Sequence, residues 1–298
     1  MSQALGPPAI ESFRRNGFHF PHTVLSPEEA EGVARRLMAF AAGPIPKHYP
    51  DPQNQIYLLK AYLLFEWADR LSHEPALLDA VECLIGPDIL LWSSGVFWKL
   101  PRSGSFVSWH QDATNYELDG ADGAVRAWLA LTPATLANGT MKFLPGGHRL
   151  GPVAHVDRKA EGELLSRGET MDLAVDDSLS APVVIGPGEV SFHHLHTPHS
   201  SGPNASGSPR VNYVMTFVAP QVRPRVGPDS AMLVRGSDRF GHFVPEPRIR
   251  DFYSAEALRL HQRFMAMRYQ ILFRGARSPP PVPDHPAAAW ANLPGGQA

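Results

Sequence analysis

The sequence predicts a mainly β protein, a sandwich or barrel with helices packed on its outside. The first supporting observation is that short apolar segments of strand length, separated by Gly and Pro turns, run from residue 89 to residue 218. The second is that helical patterns are confined to the first third of the chain and to a segment after Ser254. Folds of this kind absorb 298 residues in one domain. We therefore expect one domain over residues 1–275 and a poorly ordered tail, rich in Pro, Ala and Gly, over residues 276–298.

Start and stop signals predict four helices. Pro7 begins the first, and Ser26 with Glu29 forms a capping box that begins the second, with Pro27 at the first helical position. Ser254 is placed to cap the last helix. The expected ranges are 7–16, 27–42, 72–85 and 255–273.

The segment between the second and third helices has two parts of different character. Residues 44–56 are rich in Pro, Asp, Asn and Gln and indicate a loop. Residues 56–71 are apolar and aromatic, and two interpretations stay open for them. They either form a helix that packs on the sheet or supply the wall or lid of a ligand pocket.

From Ile89 the hydrophobic period changes from that of a helix to that of strands. Ser93, Ser94 and Gly95 interrupt the first strand, which indicates a bulge or a short turn there. Residues 146–180 carry most of the charges of the middle section and indicate a loop region. The expected strands are 89–100, one that contains His110 and Asp112, 125–131, 140–144, 183–185, 189–194 and 210–218.

Composition excludes several classes of partner. The net charge is −2 and the pI is near 6.7, so no basic surface for nucleic acid or an anionic membrane is expected. Cys83 is the single cysteine, so no intramolecular disulfide forms. The N-terminus has no signal-peptide pattern, and no apolar run is long enough for a membrane span. A soluble cytoplasmic protein is expected.

The stretch that carries the chemistry is Ser108-Trp109-His110-Gln111-Asp112. A His and an Asp two residues apart in a strand point to the same face. With one distant His they give two imidazoles and one carboxylate, the ligand set of the non-haem Fe(II) oxygenases. The alternative is a structural hydrogen-bonded pair, the usual situation of an isolated His near an Asp.

The third ligand is sought among several histidines downstream. Four of them fall within residues 193–199, just before the turn signal Gly202-Pro203-Asn204. Spacing alone leaves His193, His194 and His196 all possible.

Arg210 opens a clearly alternating strand. Val211, Tyr213, Met215 and Phe217 occupy one face of residues 210–218, and Arg210, Asn212, Val214 and Thr216 occupy the other. An arginine that enters the inside of a barrel needs an anionic partner, because a buried unpaired charge is unfavourable. A dicarboxylate cosubstrate would supply that partner.

Several motifs, in order, resemble those of a known family. They are Trp109-His110-Gln111-Asp112, Trp128-Leu129-Ala130-Leu131, Asn138-Gly139, Phe143-Leu144-Pro145-Gly146-Gly147-His148 and His199-Ser200-Ser201-Gly202-Pro203-Asn204. Over about residues 10–275 the chain is similar to the phytanoyl-CoA dioxygenase family of Fe(II)/2-oxoglutarate oxygenases, which includes ectoine hydroxylase. The resemblance implies a double-stranded β-helix, that is, a jelly-roll or cupin-like barrel, with N-terminal and C-terminal helices.

The resemblance also implies roles for individual residues. His199 matches the family's third ligand, so the iron would be held by His110, Asp112 and His199. Arg210 would grip the far carboxylate of 2-oxoglutarate with its planar fork, and Lys99 and Trp128 would be further cosubstrate contacts. O2 is the third reactant, ascorbate would help in vitro, and the products from the cosubstrate are succinate and CO2.

Two positions bear on the type of reaction and on the pocket. In related halogenases a small residue replaces the carboxylate, so Asp112 favours hydroxylation; desaturation and ring closure remain open. Relatives commonly have Thr two residues before the position of Trp128, whereas this chain has Arg126. We expect Arg126 to place a positive charge near the pocket mouth.

The substrate is expected to be a small molecule, natural-product-like or amino-acid-like, which would fit a place in secondary metabolism. A CoA ester would need a basic cluster for its phosphates, and the sequence contains none that is convincing. Two readings from other classes stay open, a non-catalytic jelly-roll that binds a metal or ligand and a metal-dependent oxygenase that does not use 2-oxoglutarate. The oligomeric state cannot be read from the sequence. Candidate substrate contacts are Phe97, Gln111, Tyr116, Arg126 and Met141, with Asn115 as a further polar neighbour.

Overall fold

The computed structural model describes residues 4–42, 59–115, 118–158, 160–165, 168–252 and 254–274. The predicted loop at residues 44–56 and the predicted tail lie outside these ranges. The helices are α1 (Pro7–Asn16), α2 (Pro27–Ala42), α3 (Glu66–Ser72), α4 (Pro75–Ile85) and α5 (Ala255–Leu272). The strands are β1 (Phe18–Thr23), β2 (Ile89–Lys99), β3 (Val107–His110), β4 (Leu118–Asp119), β5 (Ala124–Ala130), β6 (Met141–Phe143), β7 (His155–Asp157), β8 (Glu169–Met171), β9 (Ala181–Pro182), β10 (Glu189–His194), β11 (His199–Ser201), β12 (Arg210–Val218), β13 (Arg223–Pro224), β14 (Ser230–Arg235) and β15 (Val244–Pro245).

Two sheets form the centre of the molecule. The main sheet has seven strands in the order β1-β10-β5-β12-β2-β14-β15, and the small sheet has four in the order β3-β11-β6-β9. Trp128 and Val214 of the main sheet pack in one apolar cluster with Met141 and Phe143 of the small sheet. The two sheets therefore face each other as in a jelly-roll, and in the described part of the chain they do not join into one closed barrel.

The outer face of the main sheet carries the principal core. Alternation along β12 sends Val211, Tyr213, Met215 and Phe217 into this core, as the sequence predicts, where they pack with apolar side chains of α2, α3, α4 and α5. Burying each such side chain contributes about 1.5–3 kcal/mol. The other face of β12, which begins with Arg210, points between the sheets.

Most predicted helix ends are confirmed. Glu29 donates its backbone N–H to the Ser26 hydroxyl at 3.3 Å, and the Ser26 N–H donates to the Glu29 carboxylate at 3.0 Å, which is the reciprocal capping box. Ser254 accepts from the Ala257 N–H at 3.1 Å and caps α5. Gly17 ends α1 with a φ of 83°, a conformation that glycine adopts without steric cost.

The predicted helix from Ser72 to Ile85 is wrong in its start. Ser72 ends α3 instead, and its hydroxyl donates to the Ala68 carbonyl at 2.7 Å. Pro75 begins α4 because proline lacks an N–H and fits only the first turn of a helix. Residues 56–71 were predicted either to pack on the sheet as a helix or to form a pocket wall. The described part, residues 59–71, does both. Most are buried in the core, whereas Leu59 lines the cleft described below.

The predicted interruption in β2 is confirmed as a bulge at Trp92, because Thr216 pairs with Ser93 and Phe217 with Leu91. Other strand predictions differ from the structure. The strand predicted at 183–185 lies at Ala181–Pro182, followed by an isolated bridge from Ile185. The loop predicted at 146–180 contains the β7–β8 hairpin. No helix in the described part of the chain has the length and apolar character that crossing a membrane requires.

Candidate active site

Three potential metal ligands converge between the two sheets. His110 ends β3 and His199 begins β11, and the two residues are directly opposite each other in the antiparallel pair. The centres of their rings are 4.0 Å apart, and the Asp112 carboxylate lies beside both rings, with its oxygens 3.9 Å from His110 Nε2 and 3.8 Å from His199 Nε2. One ligand atom from each of the three residues lies within 4.8 Å of the others. All three side chains are buried.

The predicted local structure around Asp112 needs a correction. β3 ends at His110, and Asp112 is the first residue of a 3₁₀ turn, Asp112–Asn115. Strand alternation is therefore not what aims the carboxylate at the histidines. The chain turns after His110, and the turn carries Asp112 back toward the end of the strand.

The two imidazoles are oriented in the same way. His110 Nδ1 lies 2.9 Å from the Ser108 carbonyl and His199 Nδ1 lies 3.0 Å from the Thr197 carbonyl, each two residues earlier in the chain. A carbonyl fixes the proton on Nδ1 and leaves the Nε2 lone pair for a metal. Burial lowers the pKa of His110 to about 3 and that of His199 to about 4, so both rings are neutral.

Two further side chains engage the Asp112 carboxylate. Arg126 Nη1 donates to Oδ1 at 2.8 Å, and His193 Nε2 lies 3.3 Å from Oδ2. Burial alone raises the pKa of Asp112, but the opposing effects, led by the charge of Arg126, hold it well below its usual range. The carboxylate is thus ionised without a metal.

Arg126 was predicted as a substrate contact that places a positive charge near the pocket mouth. It lines the cleft, but its guanidinium is held by the ligand carboxylate. His193 and Arg126 are direct partners across β10 and β5, which explains why both reach the same group. His193 was predicted only as a possible third ligand. Alternation along β10, with Val190 and Phe192 in the outer core, would have placed it on the cleft face.

Arg210 lies in the same cleft as the three ligands and is almost fully buried. Its guanidinium carbon is 5.5 Å from the centre of the Trp128 ring, and it donates to the Gly139 carbonyl. Its Nε has no hydrogen-bond partner, and among the described residues no carboxylate lies within 4.0 Å of the guanidinium. Burial lowers its pKa to about 9, which still leaves it charged at neutral pH.

Lys99 is the register partner of Arg210 on β2, but it does not line the cleft. Its ammonium donates to the Ser201 hydroxyl at 2.7 Å and to the carbonyls of Ser201 and Gly202. Burial, followed by the charge of Arg210, lowers the pKa of Lys99 to about 6. Its predicted direct contact with cosubstrate is thus replaced by a role in holding the turn that follows His199.

Gln111 was predicted as a substrate contact, and the structure contradicts this. Its amide nitrogen donates to the carbonyls of Gly151 and His196, each at 2.8 Å, and its oxygen accepts from the Val153 N–H at 2.9 Å. All of these bonds stay inside the protein, and Gln111 does not line the cleft. It ties together the two loops beside Asp112.

The cleft around these residues encloses about 980 Å³, counting the part that is open to solvent. Phe97, Trp128 and Met141 line it, as predicted. Tyr116 lies outside the described residues, as does the side chain of Asn115.

Two regions that the sequence did not point to also line the cleft. Leu164, Leu165 and Glu169 come from the stretch that was predicted as a loop. Arg268 and Leu272 come from α5. Arg268 is fixed in place, because its guanidinium carbon lies 3.9 Å from the centre of the Trp92 ring and Nη1 lies 3.2 Å from the Asp229 carboxylate. No local pattern distinguishes these positions from ordinary packing residues.

The cleft between the two facing sheets holds two neutral imidazoles and one carboxylate. This arrangement is typical of one class of protein, the non-haem metal oxygenases. The chain belongs to the phytanoyl-CoA dioxygenase (PhyH) family, whose sequence model matches residues 13–212. The match confirms the predicted family.

Individual relatives extend this finding. Over 172 residues the chain is 31% identical to a Stutzerimonas stutzeri protein named "Probable alpha-ketoglutarate-dependent hypophosphite dioxygenase", and the match covers 56% of this chain and 58% of that protein. It is 22% identical over 236 residues to the ectoine dioxygenase of Bordetella parapertussis, covering 72% of this chain and 76% of that one. The chain thus spans little more than half of the first relative.

A solved structure matches more of the chain. The apo form of the non-heme monooxygenase ThoJ is 36% identical, with a TM-score of 0.76, and the match covers 89% of this chain and 97% of that chain. Its nickel complex aligns with a TM-score of 0.73 at 35% identity, covering 89% of this chain and 98% of that chain. This likeness confirms the predicted mainly β fold with flanking helices.

Proposed function

We propose that this protein is an Fe(II)- and 2-oxoglutarate-dependent dioxygenase that hydroxylates a C–H bond of a small molecule. The observation that carries the proposal is the presence, in one cleft, of the His110, Asp112 and His199 cluster and of the Arg210 guanidinium. The first can hold a metal and the second can hold an anion. Two relatives whose names refer to alpha-ketoglutarate or to a dioxygenase support the same reaction.

The donor set fits Fe(II). Two neutral imidazoles and one ionised carboxylate are the ligands of the facial triad, which leaves the remaining metal positions open. Both imidazoles have their Nδ1 atoms engaged by backbone carbonyls, so their Nε2 atoms need no reorientation before a metal binds.

The surroundings of Arg210 fit the far carboxylate of 2-oxoglutarate. A buried guanidinium without a nearby carboxylate is unfavourable, and a dicarboxylate would supply the missing charge. Arg210 and Trp128 make one side of this subsite, and Ser200 and Ser201 also line the cleft.

In the proposed mechanism each residue has a separate task. His110, Asp112 and His199 hold the iron, and Arg210 anchors and orients the cosubstrate. When bound, iron, 2-oxoglutarate and O2 supply the oxidising power, and the cosubstrate leaves as succinate and CO2. The apolar side chains of Phe97, Met141 and their neighbours position the target C–H bond and exclude water.

Hydroxylation is favoured over halogenation because Asp112 supplies a carboxylate where a halogenase would need room for a chloride. Desaturation and ring closure use the same residues and remain within the proposal. The substrate is proposed to be small and largely apolar, natural-product-like or amino-acid-like. The apolar side chains that line the cleft, among them Phe97, Trp128, Met141 and Val214, support this character.

The test is succinate release in the presence of Fe(II), ascorbate and 2-oxoglutarate, screened with and without candidate substrates. We expect slow release without substrate and faster release with a correct one. Binding of 2-oxoglutarate without turnover would favour a non-catalytic jelly-roll. Oxidation of a substrate without succinate would favour an oxygenase that does not use 2-oxoglutarate.

A further inference from the structure

The Asp112 carboxylate has an unusual set of neighbours for a metal ligand. Arg126 Nη1 donates to its Oδ1 at 2.8 Å, and His193 Nε2 lies 3.3 Å from its Oδ2. The Arg126 side chain is only 12% exposed and that of Asp112 4%, so the ion pair is largely shielded from water. A charge-assisted bond in such a place is much stronger than one on the surface.

We propose that Arg126 is a positioning residue that favours metal binding through Oδ2 of Asp112. Its bond to Oδ1 is charge-assisted and 2.8 Å long, so it is stronger than the 3.3 Å contact of His193 with Oδ2, and Oδ2 would be the oxygen more easily given to a metal. The inference rests on the proposed function. Its consequence is that one more position of the metal stays open for the chelating cosubstrate.

The physical basis is a competition for the carboxylate. An ionised carboxylate binds a divalent cation through one or both oxygens, and the torsion that turns its plane is soft. Arg126 takes one oxygen with a hydrogen bond of ordinary length. The second ring nitrogen of His193, Nδ1, has no hydrogen-bond partner. We therefore place the proton on Nε2, where it is donated to Oδ2 of Asp112, so that the unsatisfied Nδ1 is an acceptor and not a donor. Together they fix the carboxylate plane.

The backbone explains how the two side chains reach one group. Arg126 and His193 are register partners on neighbouring strands of the main sheet, and both lie on the face that points between the sheets. Asp112 approaches them from the turn after β3. The main sheet thus supplies a rigid platform for a ligand that comes from a turn.

The test uses the Arg126→Gln and Arg126→Lys variants of the full chain, with Arg223→Gln as a control that removes an exposed arginine–aspartate pair. Affinity for Mn(II) is measured by electron paramagnetic resonance. Affinities of the Fe(II) protein for 2-oxoglutarate and for pyruvate are measured without O2, from the charge-transfer absorption of the chelate. Circular dichroism checks folding, and the Lys variant carries the test if the Gln variant does not fold.

We expect Arg126→Gln to bind Mn(II) within about threefold of the unmodified protein or tighter, and both 2-oxo acids at least about tenfold more weakly, which corresponds to about 1.4 kcal/mol. The Lys variant should lie between the two, and Arg223→Gln should change nothing. Unchanged affinities for both 2-oxo acids in Arg126→Gln would overturn the proposal, and so would a parallel loss of Mn(II) affinity. A loss confined to 2-oxoglutarate would also overturn it, because Arg126 would then contact the far carboxylate that pyruvate lacks.

Failure of the proposed function gives a different result from failure of this inference. If the unmodified Fe(II) protein develops no charge-transfer absorption with 2-oxoglutarate, the cosubstrate assignment itself is wrong. If that absorption appears and Arg126→Gln behaves like the unmodified protein, only the role of Arg126 is wrong.

Discussion

Lys60 and Arg210 are both buried cations, but their surroundings differ. The Lys60 ammonium lies 2.5 Å from the Glu246 carboxylate and also donates to the carbonyls of Trp92 and Ser230, at 2.7 and 3.0 Å. Arg210 contacts a carbonyl and the face of an aromatic ring, and its Nε has no partner. The charge of Lys60 is neutralised inside the protein, whereas no carboxylate of the described residues pairs with Arg210.

This difference separates structural charges from functional ones. Removal of one partner of a buried ion pair leaves an uncompensated buried charge and lowers the free energy of unfolding. A buried charge without a counter-ion lowers stability, and its persistence in a cleft indicates a binding role. Burial alone would not distinguish Lys60 from Arg210, because both side chains are shielded from solvent.

The largest effect is expected from Lys60→Met. Glu246 would remain buried without its counter-ion, so the free energy of unfolding should fall by about 3–5 kcal/mol. Denaturant unfolding followed by circular dichroism measures it. The double variant Lys60→Met, Glu246→Leu should recover much of this loss, because both charges are then absent. A single variant as stable as the unmodified protein would show that the pair is not structural.

Arg210→Met should have the opposite effect, with a large loss of cosubstrate affinity and no loss of stability. Affinity for 2-oxoglutarate should fall by about 100-fold, or about 3 kcal/mol, because a buried charge pair loses one partner. The free energy of unfolding should stay the same or rise, since no internal ion pair is lost and a buried charge without a counter-ion is removed. Titration of the Fe(II) protein with 2-oxoglutarate, beside Mn(II) binding as a check on the metal site, measures both. Unchanged cosubstrate affinity would contradict the assigned role.

Gln111→Leu tests a buried polar side chain that is uncharged and is hydrogen-bonded within the protein. Three hydrogen bonds to Gly151, Val153 and His196 would be lost, and we expect a loss of stability of about 1–3 kcal/mol. Hydrogen exchange at the Val153 amide should become faster, because its acceptor is gone. Protection of that amide equal to the unmodified protein would show that the loops beside Asp112 are held by other contacts.

The smallest effect is expected from Arg223→Gln. Arg223 pairs with Asp119 at 2.9 Å, but both side chains are about half exposed or more. Solvent screens such pairs, so stability should change by less than about 0.5 kcal/mol at moderate salt. The same denaturant series measures it. A loss as large as that of Lys60→Met would remove the distinction between exposed and buried pairs.

Local patterns and motif resemblance were sufficient to predict the fold and the three residues of the candidate metal site. Alternation along residues 210–218 gave both the strand and the face that carries Arg210, since side-chain direction in a strand depends only on parity. The residues of the cluster were found from ligand chemistry and motif resemblance. The structure brings His110, Asp112 and His199 together although Asp112 lies on a turn, not on the predicted strand.

Pairings between distant residues could not be predicted. Lys60 and Glu246 are 186 positions apart, and nothing in either local sequence indicates the other. Arg126 and Asp112 are closer in sequence, but their contact depends on how a turn meets a sheet. Gln111 was misassigned for the same reason, because the direction of a side chain just beyond a strand end is not given by alternation.

The position of α5 has a consequence for how this enzyme can diversify. The family's sequence model ends at residue 212, yet Arg268 and Leu272 of α5 form part of the cleft wall. Arg268 is anchored by Trp92 and Asp229, whereas Leu272, one turn further along, offers only an apolar surface. Substitutions at position 272 would therefore reshape one wall of the cleft without changing His110, Asp112 or His199. Part of the cleft wall is thus supplied by a helix that lies beyond the region the family model matches, and this part can vary while the three residues stay the same.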